Sequence, residues 1–383
     1  MPAVNLCGDI FQLSPIGDID SYKTPGKNSS PIQWYGHSIY MQFYQCIILD
    51  EIMRQKPSQI KFIKCLNNIR EGTVEMRDWQ QLNERCLTNL TIEERQQFEQ
   101  DDTILLTETW AEAYKRNCEQ LSSLNNPVAQ ITSSGRGYHH SKDKDMGQIR
   151  NVCTLTKGCR VMLTKNQGAL ATLGLNNGAV GKVVDIFYEK GVCPPQPPSF
   201  IIVDFPGYKG MPGNECIPGY PSYVALTVDT GFCENKCRCQ RTGYPLIPAY
   251  GITITKAQGM TIGQNEMFKK CVIKLNEKTS MESKCLGLAY TAFSRVCEFT
   301  DFALHDRIPW ERLEYINHHK QMKSRKEEER RLKGLEKETL YSLQCSKDDY
   351  IHLLEAIDSF CQDGINDSIC SKTKDMCSCI YHT

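Results

Sequence analysis

Residues 252–261 read ITITKAQGMT, and residues 288–296 read LAYTAFSRV. Each block opens on apolar and β-branched residues and turns polar within a few positions, a pattern that reads as a short strand running into a turn. Strands that deliver polar groups at their carboxyl edge are how open α/β sheets build ligand sites. The first block places Thr253, Thr255, Lys256, Gln258 and Thr261 on such a segment, and the second ends on Ser294 and Arg295. A third stretch of the same kind lies at residues 3–13, AVNLCGDIFQL, a short buried-strand pattern ending in Gly8 and Asp9. These segments together predict an α/β protein.

The rest of the chain bounds that reading. At 383 residues it is long enough for two or three domains. Lys and Arg total 45 and Asp and Glu total 45, so sequence-blind attraction to phosphate is not built in and any nucleic-acid site is local. No apolar run approaches the roughly 18 residues of a membrane helix, which predicts no membrane span. The first twenty residues carry Asp9, Asp18 and Asp20 and lack the pattern of a secretory or mitochondrial leader. Twenty scattered cysteines read as reduced thiols of an intracellular protein, with no address that distinguishes nucleus from mitochondrion. Two clusters, Cys216, Cys233, Cys237 and Cys239, and Cys361, Cys370, Cys377 and Cys379, lack the two paired knuckles of a zinc site. Ordinary thiols are the better reading of both, and the metal prediction is none.

Between the blocks, residues 46–55 (CIILDEIMRQ) form a second apolar run, and residues 58–100 predict two surface helices, the first with Ile60, Ile63, Leu66 and Ile69 on one face. Strand signals return at residues 103–106 and 160–163. From about residue 187 to 248, prolines and short β-rich runs such as FIIVDF and YVALTV predict a small all-β insertion. Residues 311–338 are dense in both charge signs and predict a solvated single helix. Residues 349–360 carry apolar residues at helical spacing ahead of a Cys-bearing end.

Four blocks in order, GDIFQLSP (8–15), LDEIMRQ (49–55), ITITKAQGMT and LAYTAFSRV, resemble the third to sixth motifs of the petite-integration-frequency (Pif/RecD-like, superfamily 1B) DNA helicases. NNGAVGKVVDI (176–186) matches a family feature that precedes an inserted small β domain. The resemblance implies RecA-like (P-loop NTPase-type) lobes with an SH3-like β insertion and a helical C-terminal tail. It also implies ATP and Mg²⁺ as cofactors and 5′ to 3′ translocation along single-stranded DNA. By the same resemblance Arg295 is an arginine finger, Arg54 a second γ-phosphate contact, and Gln12 the residue that couples phosphate loss to lobe movement. Gln258 joins these three at ATP, and Thr253, Thr255, Lys256 and Thr261 hold the DNA backbone. The residue types suit those tasks: Arg offers an always-charged fork to phosphate, and small donors beside one cation grip a strand without reading its sequence. An isolated Arg most often makes a surface salt bridge instead, and Gly178 and Gly259 read as turn glycines.

The chain departs from the family in two ways. Thr255 stands where His is usual and Ala257 where Ser is usual. No GxxxxGK[S/T] occurs: Gly26-Lys27 is followed by Asn28 and Gly181-Lys182 by Val183. Asp50 and Glu51 imitate a metal-binding acid pair, but they follow GDIFQLSP and run directly into Arg54 and Gln55, as the fourth motif does. The expected organisation is therefore an incomplete first RecA-like lobe with an unpaired edge (1–48), the second lobe (49–186 and 249–309) split by the β insertion (187–248), and a charged helix with a Cys-rich tail (310–383) that takes a protein partner. Two functional classes follow: an ATP-dependent helicase truncated and inactive alone, or a non-enzymatic nucleic-acid-binding or partner-binding protein derived from one. A silent mobile-element relic is the third.

Overall fold

The computed structural model describes residues 4–15, 17–137, 146, 148–210, 215–233, 239–275, 282 and 284–344. Cys237, the second cysteine cluster and the 349–360 segment lie outside the described residues. The chain divides into two compact units, Met1–Leu13 with Ile52–His319, and Ser14–Glu51 with Lys320–Thr383.

The larger unit is built on a parallel sheet. β1 (Thr103–Thr107) pairs with β11 (Gly251–Thr253) on one side and β12 (Lys270–Lys274) on the other, and β13 (Phe302–Leu304) closes the order β11-β1-β12-β13. Ile104, Leu106, Ile252, Cys271, Ile273 and Leu304 are all fully buried, as strands covered on both faces require. Helices α2 (Ile60–Glu71), α3 (Met76–Glu84), α4 (Ile92–Gln97), α5 (Trp110–Ser123), α6 (Leu288–Phe293) and α7 (Trp310–Asn317) belong to this unit. Thr109 caps α5 by accepting a hydrogen bond from the Glu112 amide. Gly251 is needed where β11 meets α5, since a Cβ there would stand 3.0 Å from the Ala113 carbonyl oxygen.

A second layer is antiparallel. β4 (Arg160–Leu163), β5 (Val180–Phe187), β6 (Phe200–Asp204), β7 (Tyr223–Leu226) and β10 (Leu246–Pro248) form one sheet in the order β10-β4-β5-β6-β7. Two hairpins, β2 (Val128–Thr132) with β3 (Val152–Thr156) and β8 (Asp229–Phe232) with β9 (Gln240–Gly243), accompany it. Val161, Leu163, Val183, Ile201, Val203 and Leu246 share one core. The antiparallel strands thus begin well ahead of residue 187: Val161 and Val183 bury their side chains against Ile201 and Val203, so the expected insertion takes strands from both sides of that boundary.

In the smaller unit, α1 (Pro31–Tyr40) starts on a Ser30 capping box, and the last helix, α8 (Lys320–Gln344), is tied to residues 14–51 by polar groups. Tyr40 donates to Glu328 Oε1 at 2.6 Å, the Ile48 amide to Glu336 Oε1 at 2.7 Å, and the Cys46 amide to Thr339 Oγ1 at 3.0 Å.

Five expectations need correction. LAYTAFSRV opens as a helix, Leu288–Phe293, not as a strand, and Leu288, Ala289, Ala292 and Phe293 are all buried. Residues 4–8 form no strand and no described strand pairs with them, leaving Val4 and Leu6 exposed. The apolar run at residues 46–53 forms no regular element, and Ile47 and Leu49 are exposed rather than buried. Residues 58–100 make three helices, with Phe62, Cys65, Leu66 and Ile69 as the buried face of α2 and Ile60 outside it. The charged region is two helices, broken at His318 and His319, rather than one.

Candidate phosphate and nucleic-acid site

The candidate residues gather near the carboxyl edge of the parallel sheet of the larger unit. Beyond Thr253 the chain makes a tight turn: the Ala257 amide donates to the Thr253 carbonyl at 3.1 Å, and Gly259 takes φ +89°, a conformation that favours glycine. This turn presents Gln258 on one side and Met260 and Thr261 on the other.

Arg295 follows α6 directly and is only 1% exposed. Its guanidinium donates to the Thr291 carbonyl at 2.9 Å, to Ser294 Oγ at 2.8 Å and to the Met260 carbonyl at 3.4 Å. Arg54 donates to Thr261 Oγ1 at 3.2 Å and to the Ser294 carbonyl at 3.0 Å. Gln55, also buried, donates to the Val296 carbonyl at 2.7 Å and so fixes the LDEIMRQ block against the LAYTAFSRV block. Burial pushes Arg295 down to about 10, and the neighbouring charge of Arg54 adds to that fall. Burial also lowers Arg54. Among the described residues neither arginine has a carboxylate within salt-bridge distance, so the surface ion pair that an isolated Arg usually makes is not what holds either one. A buried and a half-buried cation, held by carbonyls and hydroxyls, have the charge that would suit an anion.

The GDIFQLSP block meets the same region. Asp9 accepts from the Phe11 amide at 3.0 Å and from Gln12 Nε2 at 3.4 Å, and lies 3.6 Å from Arg70 of α2. The Arg70 guanidinium stacks 4.0 Å from the Phe11 ring centroid. Gln12 Oε1 accepts from Gln258 Nε2 at 3.3 Å, which joins the first and third of the quoted blocks. Burial, followed by the Asp9 charge, raises the Tyr290 hydroxyl of α6. Gln12, Gln258, Arg54 and Arg295 are thus brought to one place by a chain of contacts through residues 258–262.

An open groove of about 550 Å³ lies beside them, lined by Asn176, Asn177, Gly178, Thr255, Lys256, Gln258, Gly259 and Met260. It brings the 176–178 block opposite the 252–261 block, as the Lys256 ammonium hydrogen-bonded to Asn177 Oδ1 shows. Burial and then the charge of Arg150 lower Lys256 below the ordinary lysine range. The structure separates the four threonine and lysine candidates. Thr255 and Lys256 line the groove, Thr253 is buried with its hydroxyl accepting from the Lys256 amide at 3.3 Å, and Thr261 serves Arg54. Ser294, which accepts from both arginines, and Gln55, which ties the two blocks together, were named in the sequence only as neighbours of Arg295 and Arg54 and not as site residues.

Asp50 and Glu51 are exposed and lie in the smaller unit, and among the described residues no three His, Cys, Asp or Glu side chains gather as a metal site would. The arginine pair fits the charge of a terminal phosphate.

Pif1 helicases are among the solved structures with a similar arrangement of elements. The Candida albicans Pif1 helicase superposes with a TM-score of 0.55 at 21% identity over 83% of this chain and 66% of its own. The Bacteroides Pif1 in complex with ADP-AlF3 and ssDNA gives 0.52 at 21% identity over 79% of this chain and 62% of its own. A Pif1 structure described for unwinding of forked dsDNA by two coordinating helicases gives 0.53 at 19% identity over 81% and 61%. The fold is that of the Pif1 helicases. This chain spans 61 to 66% of the length of those Pif1 chains. No family model matches it, and no curated protein does. Within the Pif1 fold, then, the chain supplies a parallel sheet, an antiparallel layer and a helical C-terminal region, with the arginine pair at the carboxyl edge of the sheet. No described helix is long and apolar enough to cross a membrane.

Proposed function

We propose that this chain is the phosphate-sensing and strand-gripping part of an ATP-driven helicase of the Pif1 type. The observation that carries the reading is the pair of half-buried Arg54 and buried Arg295, two cations with no carboxylate within salt-bridge distance among the described residues, held by the same 252–261 block that forms the wall of the groove. In this reading Arg54 and Arg295 take the terminal phosphate of ATP, and Gln12 with Gln258 reports its presence to the GDIFQLSP block. ATP and Mg²⁺ are supplied with the phosphate loop that these 383 residues lack. The bound ADP-AlF3 and ssDNA of the Bacteroides Pif1 complex support both ligands. The chain alone is accordingly incomplete: it binds single-stranded DNA through Thr255 and Lys256 and does not hydrolyse ATP. The same missing loop favours the second reading, a DNA-binding protein without enzymatic activity, and both predict strand binding.

The test is fluorescence anisotropy of a labelled oligo-dT with the full chain across a salt series. Wild type binds, and Lys256→Ala weakens binding and flattens the slope of log K against log salt by about 0.7, one phosphate contact on a single strand. Absence of binding by wild type at roughly 50 mM salt would overturn the proposal.

A further inference from the structure

The groove accounts for phosphate contacts but not for bases. β1 and β11 are parallel neighbours with Leu106 opposite Ile252 and Thr107 opposite Thr253, and the Ile254 amide donates to the Thr107 carbonyl at 2.8 Å. Both strands therefore leave the sheet at the same carboxyl edge. A few residues beyond one exit stand Thr255 and Lys256, and a few residues beyond the other stands Trp110, the first residue of α5. The indole is 45% exposed, even though the Arg150 guanidinium lies 4.1 Å from its ring centroid. The charge of Arg150 also reaches Lys256, which relates the ring's cationic partner to the groove. The one acid in the first turn of α5, Glu112, is engaged by Thr109 at 2.9 Å and by Lys274 at 3.3 Å and adds no free negative charge. An exposed ring, partnered by a guanidinium and at the same sheet edge as the groove's single lysine, is an arrangement that suits an unstacked base.

We propose that Trp110, backed by Arg150, is a stacking platform for a base of the single strand whose phosphates enter the groove at Thr255 and Lys256. This inference rests on the nucleic-acid reading of the groove given above. It names a base-contacting residue that none of the quoted blocks contains. Because every base has a π face, the contact adds affinity without sequence preference.

The experiment is a two-by-two comparison using the full chain: wild type and Trp110→Leu, each with dT12 and with a twelve-unit abasic strand that keeps the phosphates and lacks every base. Trp110→Leu loses about 5- to 150-fold in affinity for dT12, the range for one base–aromatic stack, and keeps wild-type affinity for the abasic strand. Trp110→Tyr, which retains a ring, keeps most of the dT12 affinity. Equal affinity of wild type and Trp110→Leu for dT12, or equal losses on both strands, overturns the stacking proposal while the groove reading stands. Wild type that binds neither strand overturns the groove reading and the platform with it. If Trp110→Leu melts at the assay temperature, wild type alone decides: equal affinity for dT12 and the abasic strand overturns the platform.

Discussion

Replacing Arg312 by Met removes the single cation from a cluster of three fully buried side chains. Arg312 Nη2 is paired with Glu108 Oε1 and lies 3.6 Å from Glu282 Oε2, and all three side chains are 0% exposed. Glu282 in turn accepts from the Gly287, Leu288 and Ala289 amides at 3.0, 3.1 and 3.3 Å at the start of α6, the helix that Arg295 follows. Met fills much of the volume, so the loss is electrostatic: two buried carboxylates face each other without their common counter-ion. Breaking a buried pair in this way costs about 3–5 kcal/mol, a large part of the roughly 5–15 kcal/mol that stabilises a domain. The variant also acquires a pH signature. Burial already holds Glu282 above its ordinary value of 4.5, with Arg312 the main influence pulling it down. Without Arg312 it rises further. A carboxyl whose folded value is raised contributes stability that is fully present below its ordinary value and is lost as pH rises through the folded value. Arg312→Met therefore recovers stability relative to wild type as pH falls from 8 to 5, and Arg312→Met with Glu282→Gln recovers part of the loss at pH 8. Urea unfolding followed by circular dichroism across that pH range is the assay. A cost under about 1 kcal/mol, or a pH profile parallel to wild type, would refute the reasoning.

Two further predictions concern other contacts. Burial and then the hydrogen bond to Glu328 push Tyr40 up to about 12 from 10.0, so its contribution is complete below pH 10 and is lost as pH rises towards 12. Tyr40→Phe should show a shallower fall of stability over that window, measured by unfolding at pH 9 to 12. Gln55→Ala leaves the Val296 carbonyl without its donor and costs about 1–3 kcal/mol, and Gln55→Glu, which cannot donate, costs more at neutral pH. Thermal denaturation of the two variants settles the order.

The candidate site residues were picked out by the family resemblance of short blocks. Arg54, Arg295, Gln12 and Gln258 stand inside short blocks whose glycine and polar residues mark turns, and the fold brings those blocks together. What the sequence hid was set by tertiary context. LAYTAFSRV has no alternation to separate strand from helix, and Glu282, distant in pattern from any motif, is what accepts from the amides at its start. Residues 4–8 read as a strand, but a strand needs a neighbour to take its amides, and among the described residues none does. Thr253 and Thr261 look equivalent to Thr255 in sequence, yet the turn at Gly259 buries the first, gives the second to Arg54 and leaves the third in the groove. Trp110 gave no signal at all, because its place beside the groove depends on the pairing of β1 with β11.

The most direct measurement is calorimetry of a non-hydrolysable ATP analogue with the full chain in Mg²⁺, with and without single-stranded DNA. The account predicts no saturable binding at micromolar analogue under either condition, because Arg54 and Arg295 are the sensing half of a site whose phosphate loop is not among these residues. Micromolar binding that disappears in Arg295→Ala would contradict it, and would mean that another segment of this chain cradles the phosphates.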